Sequence, residues 1–207
     1  MEHLIIHLNL ERFHLYGHSY GGIIAYEYIK RSAENNDMKE NIQPKTLCLS
    51  VSLSSTPCNV RKVDEEAETL LQQFKEQKMA SCAPAEDSAE MFRKTHLCRT
   101  EKLPTPLQEA YIRKGSVWEG TKVIEDYVAT PLKPFTTTKL PPSLVMRGEM
   151  DFVSEKFSLL EWQKMLGTAK RDLLTLSKCS HHGLLENESL YGETVRSFLL
   201  KNEECKQ

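Results

Sequence analysis

The stretch RFHLYGHSYGGII, residues 12–24, decides which fold this sequence predicts. A short apolar run leads into Gly17-His18-Ser19-Tyr20-Gly21, a Gly-x-Ser-x-Gly pattern, and an apolar-periodic segment follows. This order predicts a strand, a tight turn and a helix. Glycine is favoured two residues before and two residues after the serine, because the backbone passes close to its neighbours there.

The arrangement is typical of the nucleophile elbow of serine hydrolases, in which a strained turn lifts the serine above the edge of a sheet. Ser19 would then lie at a helix N-terminus, where the helix dipole and the N–H groups favour developing negative charge. The pentapeptide alone is a weak signal, because a glycine-rich strand–helix turn without a catalytic role has the same pattern. The flanking patterns and two downstream segments favour the catalytic interpretation.

Composition narrows the class of protein. The chain has 207 residues, 40% of them hydrophobic and 27% charged, which is ordinary for a globular protein of one large domain or a domain with an insertion. Its formal net charge of −2 gives no basic surface for nucleic acid or an anionic membrane. No apolar run approaches the roughly 18–20 residues that span a bilayer. The first residues, MEHLIIHLNLERF, lack the features of a secretory signal.

The six cysteines are scattered without a CxxC pair. We interpret them as reduced thiols and expect a cytoplasmic protein. No Cys/His cluster has the spacing of zinc ligands, so no metal site is expected. The chemistry inferred below requires no organic cofactor either.

Alternating strand and helix patterns predict a parallel sheet with helices on both faces. The expected strands are Arg12–Tyr16, Thr46–Leu53, Ser143–Arg147 and Asp172–Leu176. Between the second and the third, helical spacing without clear strands predicts an inserted helical lid. The sequence therefore predicts an α/β core of residues 1–56 and 135–207 and a lid of residues 57–134.

Helical spacing indicates several further elements. The helices are expected at Gly21–Ser32, near Val63–Phe74, and at Ala89–Cys98, Pro106–Lys114, Glu155–Leu166 and Leu190–Lys201. The first of them is expected to bury Ile23, Ile24, Ala25, Tyr28 and Ile29.

A serine nucleophile needs a carboxylate that orients its base, and in the hydrolase order this acid follows a strand end. Asp151 meets that condition after LVMRGEM, residues 144–150. Glu149 competes for the role. We favour Asp151, because a strand-Gly-x-x-Asp turn aims its side chain along the carboxyl edge of the sheet. Asp126, inside the lid, is a weaker candidate.

The base that accepts the serine proton is expected in the loop after the last strand, where Ser180-His181-His182-Gly183 lies. We assign the role to His181 and keep His182 as the alternative. His18, beside the serine, is a weaker candidate, and we expect it to line the elbow.

Together these residues resemble the proline iminopeptidases, α/β-hydrolases that release an N-terminal residue, often proline, from peptides. The resemblance covers nearly the whole chain. It rests on FHLYGHSYGG at the elbow, SLSSTP (52–57), FRKTHLCR (92–99), VWEG (117–120), GEMD (148–151) and Ser180-His181 with Leu185-Glu186 after it. The interval to Leu185-Glu186 is similar to that of the family and supports His181. The resemblance implies the α/β-hydrolase fold, here the C-terminal half of a mostly parallel sheet with a helical lid.

Members of that family usually carry some dozens of residues more at the N-terminus. Those residues hold the early strands and a His-Gly-Gly-Pro turn with an oxyanion-hole N–H, which has no counterpart here. The chain is therefore similar to a truncated member, and Tyr20, the residue after the nucleophile, supplies one oxyanion donor through its N–H. The four remaining strands would be contiguous, with the elbow strand as an exposed apolar edge.

The resemblance also points to substrate-binding side chains. Aminopeptidase members hold the α-ammonium group of the substrate with acidic side chains, and one of these follows the catalytic aspartate, where this chain has Phe152. Trp118 and Glu119 lie in the VWEG segment that is similar to the family's Trp-Gly segment. Glu119, Glu125 or Asp126 is expected to replace the missing carboxylate.

The sequence thus predicts a serine hydrolase that releases N-terminal residues from peptides, with proline preferred by resemblance. An esterase or lipase with the same triad is the alternative among enzymes. A catalytically inactive fragment that lacks the oxyanion-hole turn is the alternative outside them. The expected partner is a peptide or aminoacyl substrate, and the oligomeric state is left open.

Overall fold

The computed structural model describes residues 1–35, 47–80, 87–113, 123–133, 140–167 and 169–203. The strands are β1 (Arg12–His18), β2 (Leu47–Ser54), β3 (Ser143–Gly148) and β4 (Arg171–Leu176). The α-helices are α1 (Glu2–His7), α2 (Tyr20–Asn35), α3 (Val60–Ala80), α4 (Ser88–Phe92), α5 (Thr105–Ile112), α6 (Glu161–Met165), α7 (Gly183–Glu186) and α8 (Glu188–Glu203). A π-helical turn, Arg93–Leu97, follows α4, and another, Lys156–Leu160, precedes α6.

The strands form a parallel sheet in the order β1-β2-β3-β4. Gly17 of β1 pairs with Leu53 of β2, and Leu53 pairs in turn with Val145 of β3. All six residues of β3 are buried, as expected for an inner strand of a sheet covered on both faces. The predicted α/β fold with four contiguous parallel strands is therefore confirmed.

Hydrophobic clusters lie on the two faces of this sheet. Val145 belongs to a cluster that includes Trp162 of α6, whereas Leu144 and Met146 belong to a second cluster that includes Phe198 of α8. Successive residues of β3 alternate between the clusters because successive side chains of a strand point to opposite faces. Helices therefore cover both faces of the sheet.

Trp162 anchors the first cluster. It is fully buried, and its indole N–H donates to the Thr56 carbonyl at 2.6 Å. Its ring packs edge-on against that of Tyr26, with centroids 4.6 Å apart, and the Tyr26 hydroxyl donates to the Thr130 carbonyl at 2.7 Å. Both large rings thus bury apolar surface while their polar atoms keep hydrogen bonds.

The predicted buried face of α2 is wrong in part. Ile24 is 38% exposed and Tyr28 is half-buried, whereas Tyr26, which the periodicity did not select, is fully buried. At 3.6 residues per turn, Ile24 and Tyr28 lie on the side of the helix opposite Tyr26, Ile29 and Ala33.

The described residues between β2 and β3 are mostly helical, and residues near the start of this segment contact residues near its end. Asn59 forms an isolated antiparallel bridge with Val128, and the Ala129 N–H donates to the Cys58 carbonyl at 2.7 Å. The helices predicted near Ala89–Cys98 and Glu155–Leu166 are confirmed, and each of them contains a π-helical turn. In the first, the Cys98 N–H donates to the carbonyl of Arg93, five residues back. The lid boundaries remain a prediction.

β1 lies at the edge of the sheet, as predicted. Among the described residues it pairs with β2 alone. Tyr16 on β1 is 41% exposed, and Phe13 and Leu15 of the same strand are half-buried.

Four cysteines in the described ranges, Cys48, Cys58, Cys98 and Cys179, form no disulfide bond. Within the same ranges, no helix has both the length and the apolar character that crossing a bilayer requires.

Replacing Trp162 with alanine is expected to lower the free energy of unfolding by about 3–5 kcal/mol, because it leaves a cavity in the core and an unpaired Thr56 carbonyl. Urea unfolding followed by circular dichroism measures the change. Leu160→Ala is the control: this side chain on the neighbouring turn is 46% exposed, so the loss should stay within about 0.5 kcal/mol. Similar losses in the two variants would contradict the anchoring role.

Candidate active site

Ser19 lies at the turn between β1 and α2. Its φ of 51° falls in the left-handed region, which residues other than glycine rarely occupy and which costs on the order of 1–3 kcal/mol. The Ser19 N–H donates to the Ser54 carbonyl at the end of β2 at 2.8 Å, and the Ser19 carbonyl accepts the Gly22 N–H at 3.0 Å. These bonds hold the strained backbone and place the half-buried serine at the carboxyl edge of the sheet.

Two glycines permit this close packing. A Cβ on Gly17 would lie 2.3 Å from the Gly21 carbonyl oxygen, and a Cβ on Gly22 would lie 1.9 Å from Thr56 Oγ1. No atom lies within 4 Å of a Cβ built on Gly21. The expected need for glycine at residue 21 is therefore wrong: Gly21 contributes backbone that crowds Gly17, and Gly22 is the second position without room for a side chain.

The structure brings His181 and Asp151 together. His181 Nδ1 lies 2.9 Å from Asp151 Oδ1, and both side chains are at least 95% buried, with exposures of 5% and 0%. The Val153 N–H donates to the same carboxylate oxygen at 2.9 Å, and Arg147 donates to the backbone carbonyls of Asp151 and Val153. The acid loop after β3 is thus held at three points.

Opposing effects act on the Asp151 carboxyl. Burial by itself would raise its pKa, but the charge of His181, the hydrogen bond to that ring and the hydrogen bond from the Val153 N–H together hold the pKa below its usual value. The carboxylate is therefore ionised at neutral pH and accepts the Nδ1–H of His181. With Nδ1–H committed to this carboxylate, Nε2 is the ring nitrogen left to accept the serine proton.

His18, the residue before Ser19 in the sequence, places Ser19 near His181. The His18 ring centroid lies 4.8 Å from that of His181, and the Ser55 hydroxyl, just beyond β2, donates to the His181 carbonyl at 3.4 Å. Across the described part of the chain, no hydrogen bond joins the Ser19 hydroxyl to His181. Such bonds are commonly long without substrate. The catalytic roles of Ser19, His181 and Asp151 thus remain predictions.

Three histidine rings form a cluster at this edge. His18 lies 5.4 Å and His181 lies 5.1 Å from His182, measured between ring centroids. Burial, followed by the charges of the other two rings, lowers the pKa of His18 to about 3. Burial and then the His181 charge lower the pKa of His182 to about 4. Both rings are neutral at pH 7, and His181 is the ring of the three that pairs with a carboxylate.

A chain of hydroxyl groups reaches His18 from the sheet edge. Tyr16 and Tyr191 join their hydroxyls at 2.5 Å, Tyr191 bonds Ser54 Oγ at 2.5 Å, and that oxygen lies 3.4 Å from His18 Nδ1. Sequence reasoning did not identify Ser54 or Tyr191 as part of the site. The sequence feature that could have identified Ser54 is its position at the end of a strand beside the elbow strand. No local pattern marks Tyr191.

The π-helical turn Arg93–Leu97 contacts both loops that carry the acid and the base. The His181 N–H donates to the His96 carbonyl at 3.2 Å, and the His182 N–H donates to the Leu97 carbonyl at 2.9 Å. The His96 ring donates its Nδ1–H to the Met150 carbonyl at 2.8 Å, beside Asp151. This lid segment therefore ties the histidine loop to the acid loop.

The competing acids lie elsewhere. Glu149 is exposed and accepts the Lys178 N–H at 3.0 Å, and Asp126 pairs with Arg61 on the surface. Neither contacts His181, so the structure does not support them as the acid. Tyr20 is the first residue of α2, where its N–H is expected to serve an oxyanion, and this role remains a prediction.

The proposed substrate contacts divide into two groups. Trp118 and Glu119 lie outside the described residues. Phe152 is half-buried, with its ring 4.5 Å from that of His181 and 6.1 Å from that of Phe92. Glu125 is exposed and lines a surface depression with Asp126 that no member of the predicted triad lines.

Comparison with known proteins confirms the resemblance to proline iminopeptidases. The chain is 24% identical over 200 residues to the proline iminopeptidase of Saccharolobus solfataricus, an alignment that covers 89% of this chain and 61% of the relative. The chain thus spans less than two thirds of the length of that curated relative. No family model matches the present chain.

Solved structures share the fold. The proline iminopeptidase of Mycobacterium smegmatis superposes with a TM-score of 0.69 at 21% identity, covering 99% of this chain and 70% of that one. VinJ superposes with a TM-score of 0.67 at 15% identity, covering 97% and 70%. A bacterial membrane phospholipase A gives 0.57 at 18% identity, covering 98% and 61%. The chain has the α/β-hydrolase fold, as predicted.

Acidification from pH 7 to pH 5 is expected to destabilise the fold through His18 and His182. Their pKa values of about 3 and about 4 lie below the value of about 6.5 in an unfolded chain, so the unfolded chain binds more protons between these limits and stability falls as pH falls. The contribution of Asp151, whose pKa is lowered, is lost only below about pH 4, outside this window.

Urea unfolding at pH 7 and pH 5 tests this account. The double variant His18→Gln/His182→Gln should lose less stability between the two pH values than the wild type, by on the order of 1 kcal/mol. His3→Gln, which changes an exposed histidine of α1, should keep the wild-type pH dependence. Equal pH dependence in the wild type and the double variant would show that these rings are not the source.

Proposed function

We propose that this chain is a serine hydrolase in which Ser19 is the nucleophile, His181 the general base and Asp151 the group that orients the base. The observation that carries the proposal is the buried hydrogen bond between His181 and Asp151, at 2.9 Å, beside a serine in a left-handed elbow. The α/β-hydrolase fold supports it, since this fold places a nucleophile, an acid and a histidine in that chain order.

Each proton and bond has a place in the proposed reaction. Ser19 Oγ forms a bond to the substrate carbonyl carbon while its proton passes to Nε2 of His181, and Asp151 stabilises the resulting imidazolium through Nδ1–H. The oxyanion accepts the Tyr20 N–H. The bond to the leaving group breaks as His181 returns the proton to it, which leaves an acyl-enzyme. Water then attacks the acyl carbon and loses a proton to His181. The bond between that carbon and Ser19 Oγ breaks as His181 returns the proton to Ser19, which releases the carboxylic acid product.

The substrate that we propose is the N-terminal residue of a peptide or an aminoacyl compound, with proline preferred. The similarity to two proteins named proline iminopeptidase, one by sequence and one by structure, supports this choice. This chain covers 61% of the curated relative. We therefore assign the relative's activity to this chain as a proposal.

An ester is the alternative substrate. The apolar ring of Phe152 against His181 favours it, because the resemblance leads one to expect a carboxylate there. The structural similarity to a phospholipase A also agrees with an ester. A third possibility is a fragment without activity, since only one oxyanion donor is assigned, and removal of one such donor costs about 2.7–4 kcal/mol of transition-state stabilisation.

Fluorophosphonate labelling of the purified chain tests the nucleophile. The wild type should be labelled and Ser19→Ala should lose all labelling, because the reagent bonds to an activated serine oxygen. Ser32→Ala, a half-buried serine on the same helix α2, should be labelled at the wild-type rate. A folded wild-type chain without labelling would contradict the proposed chemistry and favour the inactive fragment.

Paired substrates separate the peptidase from the esterase. L-proline p-nitroanilide should be hydrolysed and its N-acetyl derivative should not, if a free amine is recognised, and Ser19→Ala should reduce the rate by at least about 1000-fold. Turnover of p-nitrophenyl butyrate without turnover of the anilide would favour the esterase.

A further inference from the structure

The histidine loop, residues 177–182, consists of turns and irregular backbone between β4 and α7. Lys178 in this loop has a φ of 57°, in the left-handed region. A residue other than glycine keeps such a conformation only where surrounding contacts hold it, at a cost on the order of 1–3 kcal/mol. The contacts of this loop therefore decide where His181 lies.

Glu186, the last residue of α7, bonds the residue that precedes His181. The Ser180 N–H donates to Glu186 Oε2 at 2.8 Å, and the Ser180 hydroxyl donates to Glu186 Oε1 at 2.5 Å. Each carboxylate oxygen thus has its own donor, and hydrogen bonds to an ionised acceptor are roughly twice as strong as those between neutral groups. Glu186 therefore holds Ser180 through both its main chain and its side chain.

Ser180 lies where the histidine loop packs against the end of β3. It is fully buried. A Cβ built on Gly148, the last residue of β3, would lie 2.3 Å from the Ser180 carbonyl oxygen. The backbone of Ser180 thus packs closely against the strand that leads to Asp151. A displacement of Ser180 would change the distance between His181 and Asp151.

The position of His181 has to meet two conditions in the proposed reaction. Its Nδ1 lies 2.9 Å from Asp151 Oδ1, and its Nε2 must reach the proton of Ser19. A misplacement of about 1 Å can cost on the order of 100-fold in rate. The π-helical turn Arg93–Leu97 bonds the N–H groups of His181 and His182, whereas Glu186 acts on the residue before them.

We propose that Glu186 is a positioning residue, which fixes His181 between Asp151 and Ser19 by holding Ser180. The inference rests on the proposed hydrolase function and assigns to it a carboxylate outside the triad. Glu186 acts through the backbone of the histidine loop and not through the substrate.

Two substitutions at residue 186 separate the hydrogen bonds from the bulk of the side chain. Glu186→Ala removes both bonds and leaves the Ser180 N–H without this acceptor. Glu186→Gln can keep both, because its amide oxygen accepts the Ser180 N–H while its NH₂ group donates to the Ser180 hydroxyl, whose oxygen also accepts. The glutamine variant should therefore retain the function that the alanine variant loses.

The rate of fluorophosphonate labelling of the full chain measures the activation of Ser19. Glu186→Ala should be labelled at least about ten-fold more slowly than the wild type, and Glu186→Gln within about three-fold of the wild type. Ser180→Ala, which removes one of the two bonds, should fall between the wild type and Glu186→Ala. Glu188→Ala, which changes an exposed carboxylate at the start of α8, should be labelled at the wild-type rate.

The proton NMR resonance of the His181 Nδ1–H reports the position of this ring without requiring turnover. A proton shared with a carboxylate resonates at low field, and the resonance is assigned by its absence in His181→Gln. It should be retained in Glu186→Gln and Glu188→Ala, and it should be shifted or lost in Glu186→Ala. Circular dichroism shows whether each variant is folded.

Equal labelling rates and equal resonances in the wild type and Glu186→Ala would overturn the positioning role. A change in only one of the two measurements, in a labelled enzyme, would overturn it as well. If Glu186→Ala does not fold, Ser180→Ala decides by the same two measurements. A folded wild type that is not labelled contradicts the proposed hydrolase, and the resonance then decides by itself whether Glu186 positions His181.

Discussion

The close approach of α2 to β1 at Ser19 is the constraint on which the rest of the site depends. Gly17 has no room for a side chain because the Gly21 carbonyl would lie 2.3 Å from its Cβ, and Gly22 is crowded in the same way by Thr56. The helix can therefore begin at the residue after the serine. The hydrogen bond from the Ser19 N–H to the Ser54 carbonyl then joins this elbow to β2 and holds it at the carboxyl edge of the sheet.

The other site residues reach the same edge because parallel strands all end there. Ser55 follows β2, Asp151 follows β3 and His181 follows β4. Burying the Asp151 carboxylate has a large desolvation cost, so hydrogen bonds must compensate it, and those from His181 and the Val153 N–H act on the carboxylate. The edge thus concentrates strain and buried charge, both of which are characteristic of functional sites.

The segment between β2 and β3 also contacts the site. Its π-helical turn bonds the backbone of the histidine loop and, through His96, the backbone of the acid loop. Its long helix α3 forms one wall of a cavity whose opposite wall includes Asp151 and Phe152.

The sequence by itself determined the elbow, the alternation of strands and helices, and the segments that carry Asp151 and His181. These features are local: the elbow needs small residues at set intervals, and strands and helices show their own periodicities. Only the tertiary structure decided which carboxylate meets His181, that Gly22 rather than Gly21 is crowded, and that Tyr191 lies near the site. It also revealed the π-helical turns, whose periodicity is too close to that of an α-helix to be recognised in a few residues. Contacts such as Tyr191 with Ser54 join residues 137 positions apart, and no local pattern specifies them, because they arise from how the layers pack.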